Sequence, residues 1–238
     1  RAGKRDIAEV LRREGVINVN PWYFIGGVLA LKASQDLKPG EYQFQKNASL
    51  RDVIATIVEG KVLQHSVTIP EGLTSEQIVA RLIDNDIFGG AVRELPREGT
   101  LLPETYKFPR GTTREQVIQR MQQTQKRVLV EIWERRNPDV PIRSPEQLIT
   151  LASIVEKETG RADERSRVAA VFVNRLRQKI KLQSDPTIIY GLVGGKGTLG
   201  RPIRRSEIQQ PSPYNTYVIE GLPPGPISSV SESAISAA

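Results

Sequence analysis

A repeated segment restricts the possible folds more than any other feature of this chain. Residues 37–44 read LKPGEYQF and residues 101–108 read LLPETYKF, so both contain Leu-x-Pro-x-x-Tyr-x-Phe. At the same offset, Ser49 and Thr113 stand where helix N-caps belong, and each precedes an apolar helical pattern. Repetition at a fixed spacing indicates two copies of one small structural unit.

The segment before each Tyr-x-Phe also corresponds between the copies. Helically spaced apolar positions occur in both, namely Ile7, Leu11 and Val16, and Ile78, Leu82 and Ile87. Each copy is predicted to contain a helix, a variable connection, a short strand with Tyr-x-Phe and a second helix. A further strand at 66–70 leads the second copy. Such modules resemble LysM-like glycan-binding domains, although the aromatic pairs also fit plain core residues on one strand face.

Composition excludes several kinds of chemistry. The chain of 238 residues has no cysteine, which excludes disulfides, thiolate nucleophiles and cysteine-ligated metals. Its one histidine, His65, excludes a multi-histidine zinc site, and we predict an ordinary strand-edge residue there. The net charge of +7 fits nucleic acid, anionic headgroups or wall polymers without choosing among them. The longest apolar stretch, 22–31, is too short to span a membrane.

A well-marked helix follows Ser144. Ser144 can cap it, Pro145 suits its first position, Gln147 completes a capping box, and Gly160 can supply a left-handed end. A longer helical pattern precedes it at 113–137, and another follows at about 163–179. The second half is therefore predicted to be mainly helical.

This helix contains Glu156-Lys157-Glu158 near its end. Glu158 falls at the edge of an apolar stripe, whereas Glu156 lies on a more polar flank; the stripe is Leu148, Leu151, Ala152 and Val155. Desolvation and the helix C-terminus are expected to raise the pKa of Glu158, as a general acid for glycosidic bonds requires. A salt-bridged or solvated surface carboxylate is the alternative.

Several loops beyond this helix are rich in amides, hydroxyls and aromatic rings, which hydrogen-bond to and stack on sugars. They lie at 182–187, 213–217 and 221–225. Gly194-Gly195-Lys196-Gly197-Thr198 lacks phosphate-loop spacing and predicts a flexible loop over or beside a cleft.

The motifs of this half resemble the endolytic murein transglycosylase (YceG-like) family. They are LASIVEKET at 151–159, VAAVFVNRL at 168–176, LQSDPT at 182–187, YNTY at 214–217 and GLPPGPI at 221–227. The resemblance implies an α+β chain: a LysM-like module at 1–64, a second at 65–112, and a helical catalytic domain with a loop-rich cleft at 113–238. It also implies a periplasmic location, an inner-membrane tether through an N-terminal helix that this chain lacks, and a C-terminal segment that is missing.

The resemblance further implies a lytic transglycosylase with Glu158 as its single acid/base, with Glu156 in reserve, and with no cofactor or metal. The hypothesised sugar-binding residues are Gln183, Asp185, Tyr190, Asn215 and Tyr217. Two alternatives stay open: Asp185 as a turn cap before Pro186, and Tyr214 as a core residue.

The implied partners are peptidoglycan strands and penicillin-binding synthases, with no nucleic acid. The rival function is a non-catalytic glycan-binding envelope protein. A basic nucleic-acid binder is a third class, but no base-stacking or groove-reading motif supports it.

Overall fold

The computed structural model describes residues 3–238, which form ten α-helices and two strands. The helices are α1 (Lys4–Arg13), α2 (Pro21–Ala30), α3 (Leu50–Glu59), α4 (Ser75–Ile83), α5 (Arg114–Arg135), α6 (Pro145–Glu158), α7 (Arg165–Arg177), α8 (Asp185–Val193), α9 (Arg205–Ile208) and α10 (Glu232–Ala237). The strands β1 (Gln64–Thr68) and β2 (Thr105–Pro109) pair in a two-stranded sheet, and a 3-10 turn spans Gly194–Lys196. This mainly helical content with a small sheet confirms the predicted α+β class.

The chain divides into two compact units. The first comprises Arg1–Ser66 with Lys107–Gly111, and the second comprises Val67–Tyr106 with Thr112–Ala238. Each contains a cluster of buried apolar side chains of its own, formed in the first by α1, α2 and α3 and in the second largely by α5, α6, α7 and α10. The predicted boundaries after residues 64 and 112, and the LysM-like character of the modules, stay predictions.

Both copies of the repeat have the predicted helices with the predicted caps. Ser49 accepts a hydrogen bond from the Asp52 amide at 3.2 Å, and Thr113 accepts one from the Gln116 amide at 3.2 Å. In each case the third residue of the helix bonds back to the cap, which completes a capping box. The repeated caps therefore start α3 and α5 in the same way.

The strand predicted in the first copy is wrong. Residues 42–44 form no strand with any part of the chain between residues 3 and 238, whereas the corresponding Tyr106 and Phe108 lie in β2. Tyr42 and Phe44 instead pack on the apolar cluster of the first unit, with ring centroids 6.1 Å apart. A Tyr-x-Phe pattern specifies a shared face, but a strand also needs a neighbouring backbone to pair with.

Helix α6 lies at the centre of the second unit. Every residue from Leu148 to Glu156 is buried, and α5, α7, α8 and α10 all contact the helix. Ser144 caps it as predicted, but Gln147 accepts a hydrogen bond from the Arg143 amide instead of closing a box on Ser144. The left-handed end predicted at Gly160 is wrong, because the chain leaves α6 through an extended Thr159.

None of the helices within residues 3–238 has the length and apolar character needed to cross a membrane.

Candidate active site

The two glutamates near the end of α6 have opposite environments. Glu156 is buried, and Arg165 on α7 donates a hydrogen bond to its Oε1 at 2.7 Å. Ser231, the N-cap of α10, donates to Oε2 through its amide at 2.7 Å and its hydroxyl at 2.6 Å. Arg165 also bonds to Glu71, at 2.5 Å, and to Ser233. Glu156 thus joins α6 to α7 and α10, and both of its oxygens accept hydrogen bonds in doing so.

Glu158 is exposed, so the desolvation predicted for it is wrong. Helix α6 ends at this residue, so no further helical turn covers its carboxylate. The hydroxyl of the buried Ser184 donates to Glu158 Oε1 at 2.5 Å, the length of a charge-assisted bond. The carboxylate of Glu158 therefore lies at the surface, and the Ser184 hydroxyl fixes one of its two oxygens by a hydrogen bond.

The loop that carries Ser184 has a strained backbone. Gln183 is exposed and has a φ of 53°, a left-handed conformation that few side chains adopt. The fully buried Thr216 holds this loop: its carbonyl accepts from the Gln183 amide at 3.1 Å, and its hydroxyl accepts from the Ser184 amide at 2.9 Å. Thr187 bonds to the same hydroxyl at 2.8 Å. Thr216 fixes the position from which Ser184 reaches Glu158.

Asp185 and Tyr217 complete this group. The Tyr217 hydroxyl donates to Asp185 Oδ1 at 2.7 Å. That bond, partial burial and the charges of Asp185 and Glu158 raise the pKa of Tyr217 to about 12. We call Glu158, Ser184, Asp185 and Tyr217 the Glu158 cluster. Asp185 is also the first residue of α8, where a negative charge is favoured, and its alternative role as a turn cap stays a prediction.

The other two predicted sugar-binding residues are engaged elsewhere. Asn215 is buried, and its amide nitrogen donates to the carbonyls of Ile208 at 3.0 Å and Gln210 at 2.9 Å. Tyr190 is half-buried, and its ring lies 4.9 Å from that of Tyr214. Direct sugar contact by Asn215 and Tyr190 stays a prediction.

Comparison with known proteins identifies the family. The sequence model of the YceG-like family matches residues 1–238. The chain belongs to the YceG-like family. A crystal structure of a YceG-like protein from Listeria monocytogenes aligns with a TM-score of 0.57 and 29% identity, over 99% of this chain and 86% of that one.

Curated relatives of this YceG-like chain carry the name endolytic murein transglycosylase. The Bacillus subtilis strain 168 protein is 28% identical over 98% of this chain and 71% of its own length. The Streptococcus pneumoniae D39 protein is 30% identical over 84% of this chain and 44% of its own length. The YceG-like chain thus matches less than half of the streptococcal protein.

Glu98 is a carboxyl group of this YceG-like chain that the sequence does not single out. Ser75, the first residue of α4, donates to Glu98 Oε1 through its amide at 2.9 Å, and the Tyr190 hydroxyl donates to Oε2 at 3.3 Å. Burial raises the pKa of Glu98 above its ordinary value despite these bonds. The residue lies in a loop without periodicity, so only its tertiary contacts show that it links α4 to α8.

The glycine-rich segment at 194–197 is anchored on α4. The hydroxyl of Thr74, the N-cap of α4, donates to the Gly195 carbonyl, and the side-chain Nε2 of Gln77 donates to the Lys196 carbonyl at 3.2 Å. A Cβ added at Gly197, whose φ is +73°, would lie 2.6 Å from the Gln77 side chain. The glycine at this position permits close packing on a helix, and the flexibility predicted for the segment stays a prediction.

Proposed function

We propose that this protein is an endolytic lytic transglycosylase that cuts the β-1,4 bond between N-acetylmuramic acid and N-acetylglucosamine, with Glu158 as the single acid/base. The family and its curated relatives assign the chain to the murein transglycosylases, an enzyme class. The proposal adds the bond, the product and the residue that transfers the proton.

The exposed carboxylate of Glu158, held by the buried Ser184, carries the proposal. Ser184 donates to Oε1; among residues 3–238, none donates a hydrogen bond to Oε2. That oxygen can therefore reach a glycosidic oxygen. A glycan lying over Glu158 would exclude water from its carboxyl group and so favour the protonated form. The bound substrate would thus supply the desolvation that is absent in the free protein.

In the proposed reaction, one carboxyl group acts in both steps, first as an acid and then as a base. Glu158 gives its proton to the bridging oxygen, the bond to the muramic C1 breaks, and N-acetylglucosamine leaves with a free hydroxyl. The muramic C6 hydroxyl attacks C1 and returns its proton to Glu158. The product is a 1,6-anhydromuramic end, and no water is consumed. In this proposal, the hydrogen-bonded Tyr217–Asp185 pair orients sugar hydroxyls beside the reacting bond.

The direct test is Glu158→Gln, assayed by mass spectrometry of digested glycan strands. Because the amide cannot donate a proton as an acid, we expect anhydro-ended products to fall by roughly a thousandfold or more while the melting temperature stays within a few degrees. Full activity in this variant would refute the assignment. Products heavier by one water would instead indicate a hydrolase.

Glu156→Gln is the matched control, two residues away on the same helix. Removing one charge of a buried ion pair costs up to about 3–5 kcal/mol of unfolding free energy, because the buried Arg165 then keeps only the half-exposed Glu71 as an ion-pair partner among residues 3–238. We expect a clear loss of stability in chemical denaturation, with anhydro-ended products still formed at low temperature. Loss of chemistry without loss of stability would transfer the catalytic role to Glu156.

The proposed substrate places the working enzyme in the periplasm at the inner membrane. Penicillin-binding synthases are its proposed partners, because they produce the nascent strands on which an endolytic enzyme would act. Crosslinking in whole cells followed by capture of this protein tests both points, and recovery of cytoplasmic proteins alone would contradict them.

A further inference from the structure

Helix α2 exposes an apolar face. Its sequence, PWYFIGGVLA, contains no charged residue. Phe24 and Val28 are fully buried in the first unit, but the exposed fractions of Trp22, Tyr23 and Leu29 are 66%, 67% and 57%. Single exposed apolar side chains are ordinary, whereas several on one short helix mark an interaction surface.

The exposed residues form one continuous surface. At about 100° per residue, Trp22, Gly26 and Leu29 fall on one line along α2, with Tyr23 beside it. Leu31, just beyond the helix, is also exposed. We call Trp22, Tyr23, Leu29 and Leu31 the α2 face.

A basic groove borders the α2 face. It has a volume of about 540 Å³ and is lined by Arg5, Glu9, Arg12 and Arg13 of α1 and by Trp22 and Ile25 of α2, among others. Arg5 is paired with Glu9 and Arg13 with Glu14, each at 3.1 Å and on the surface, whereas Arg12 has no ion-pair partner among residues 3–238. Guanidinium groups bind phosphate through paired donors, so this groove offers a site for a phosphate-bearing surface.

We propose that the α2 face docks on the surface of an anionic lipid bilayer. A helix of ten residues is too short to span a bilayer, so it lies in the plane of the interface. Trp22 and Tyr23 occupy the headgroup level, where such side chains are enriched, while Leu29 and Leu31 enter the acyl boundary. The arginines of α1 contact lipid phosphates. An apolar face with a cationic border fits this occupant, and the contact is separate from any N-terminal membrane tether.

Trp22 can report its own insertion, because the chain has two tryptophans and Trp133→Phe leaves only Trp22. The whole chain with this substitution is mixed with phosphatidylcholine vesicles, with and without phosphatidylglycerol. We expect a blue shift of the emission and quenching by brominated acyl chains only with the anionic vesicles. Emission that does not change with those vesicles would overturn the proposal.

Vesicle sedimentation then tests which residues bind. We expect Tyr23→Ser with Leu29→Ser to lower partitioning at least about tenfold, since two apolar side chains leave the interface. We expect Arg12→Gln with Arg13→Gln to lower it roughly fivefold per charge, on anionic vesicles alone.

The matched control is Ile83→Ser with Leu95→Ser, because these side chains are 53% and 52% exposed but lie outside α2. This variant should sediment like the unmodified chain. Sedimentation that the α2 substitutions leave unchanged would overturn the proposal. So would a concentration-dependent dimer, in lipid-free sedimentation velocity, that shields Trp22 from a soluble quencher, since a second copy would then be the occupant. Thermal unfolding checks that each variant is folded, and the Trp22 measurement does not depend on those variants.

Discussion

At the scale of single residues, burial assigns different roles to two identical side chains. Glu156 is enclosed by Arg165 and Ser231, and it stabilises the packing of three helices. Glu158 is exposed, and within residues 3–238 it accepts one side-chain hydrogen bond, from the Ser184 hydroxyl. A buried carboxylate that accepts three hydrogen bonds exchanges protons poorly with a substrate, which is why we propose the acid/base role for Glu158 and not for Glu156.

Ser184→Ala tests the support of Glu158. The hydroxyl does not cap α8, so its loss should change the unfolding free energy by less than about 1 kcal/mol. Because Glu158 would lose the hydroxyl that positions its carboxylate, we expect kcat to fall roughly ten- to hundredfold with little change in KM. Steady-state kinetics on purified glycan strands measures both parameters.

Thr187→Val is the control for this variant, since Thr187 bonds within the same loop but does not contact Glu158. It should destabilise the fold more than Ser184→Ala and lower kcat less. The opposite ranking would mean that Ser184 acts through loop packing alone.

At the scale of elements, each copy of the repeat contains the same internal hydrogen bond. The Tyr42 hydroxyl donates to the Lys38 carbonyl at 2.7 Å, and the Tyr106 hydroxyl donates to the Leu102 carbonyl at 2.8 Å. In both copies the acceptor lies four residues before the tyrosine. The bond closes the turn before each Tyr-x-Phe, which explains why this tyrosine recurs whether or not the segment becomes a strand.

Replacing each tyrosine by phenylalanine should lower the unfolding free energy by a different amount in each copy. Tyr106 and Leu102 are buried, so Tyr106→Phe leaves a carbonyl without this donor and should cost about 1–3 kcal/mol. Lys38 is exposed, so water replaces the hydroxyl in Tyr42→Phe, and the cost should stay below about 1 kcal/mol. Urea unfolding of the two variants measures the difference, and equal costs would contradict this account.

At the scale of the whole molecule, buried tyrosines should set the alkaline limit of stability. Burial raises the pKa of Tyr106 to about 12, and the hydrogen bond to Asp185 together with burial raises that of Tyr217 to about 12. The pKa of Tyr190 is also raised, chiefly by burial.

Between pH 10 and 12 the unfolded chain therefore holds fewer protons than the folded chain. Linkage then requires the unfolding free energy to fall as pH rises through this window, and these groups have no such effect below it. Denaturant unfolding at a series of pH values tests the trend, and Tyr106→Phe should make the decline shallower. If the unfolding free energy begins to fall well below pH 10, groups other than these tyrosines must cause the fall.

Much of the local structure could be predicted from neighbouring residues. Ser49, Thr113 and Ser144 cap helices because a hydroxyl before an apolar helical pattern can bond to free amides wherever the chain goes. The apolar period placed α5, α6 and α7 within a few residues, and the repeat predicted corresponding helices in both copies. These features depend on contacts within a few residues, so the sequence alone determined them.

Contacts between distant segments decided the rest. Glu156 is buried because Arg165 and Ser231 converge on it, and Glu158 is exposed because α6 ends there; the helical period of α6 alone indicated the reverse. The Thr216 hydroxyl accepts a hydrogen bond from the Ser184 amide, and Glu98 accepts one from the Tyr190 hydroxyl. Both pairs are far apart in the sequence, and no sequence pattern relates their members. Burial and hydrogen bonding depend on every segment that packs around a residue, so only the tertiary structure could assign these roles.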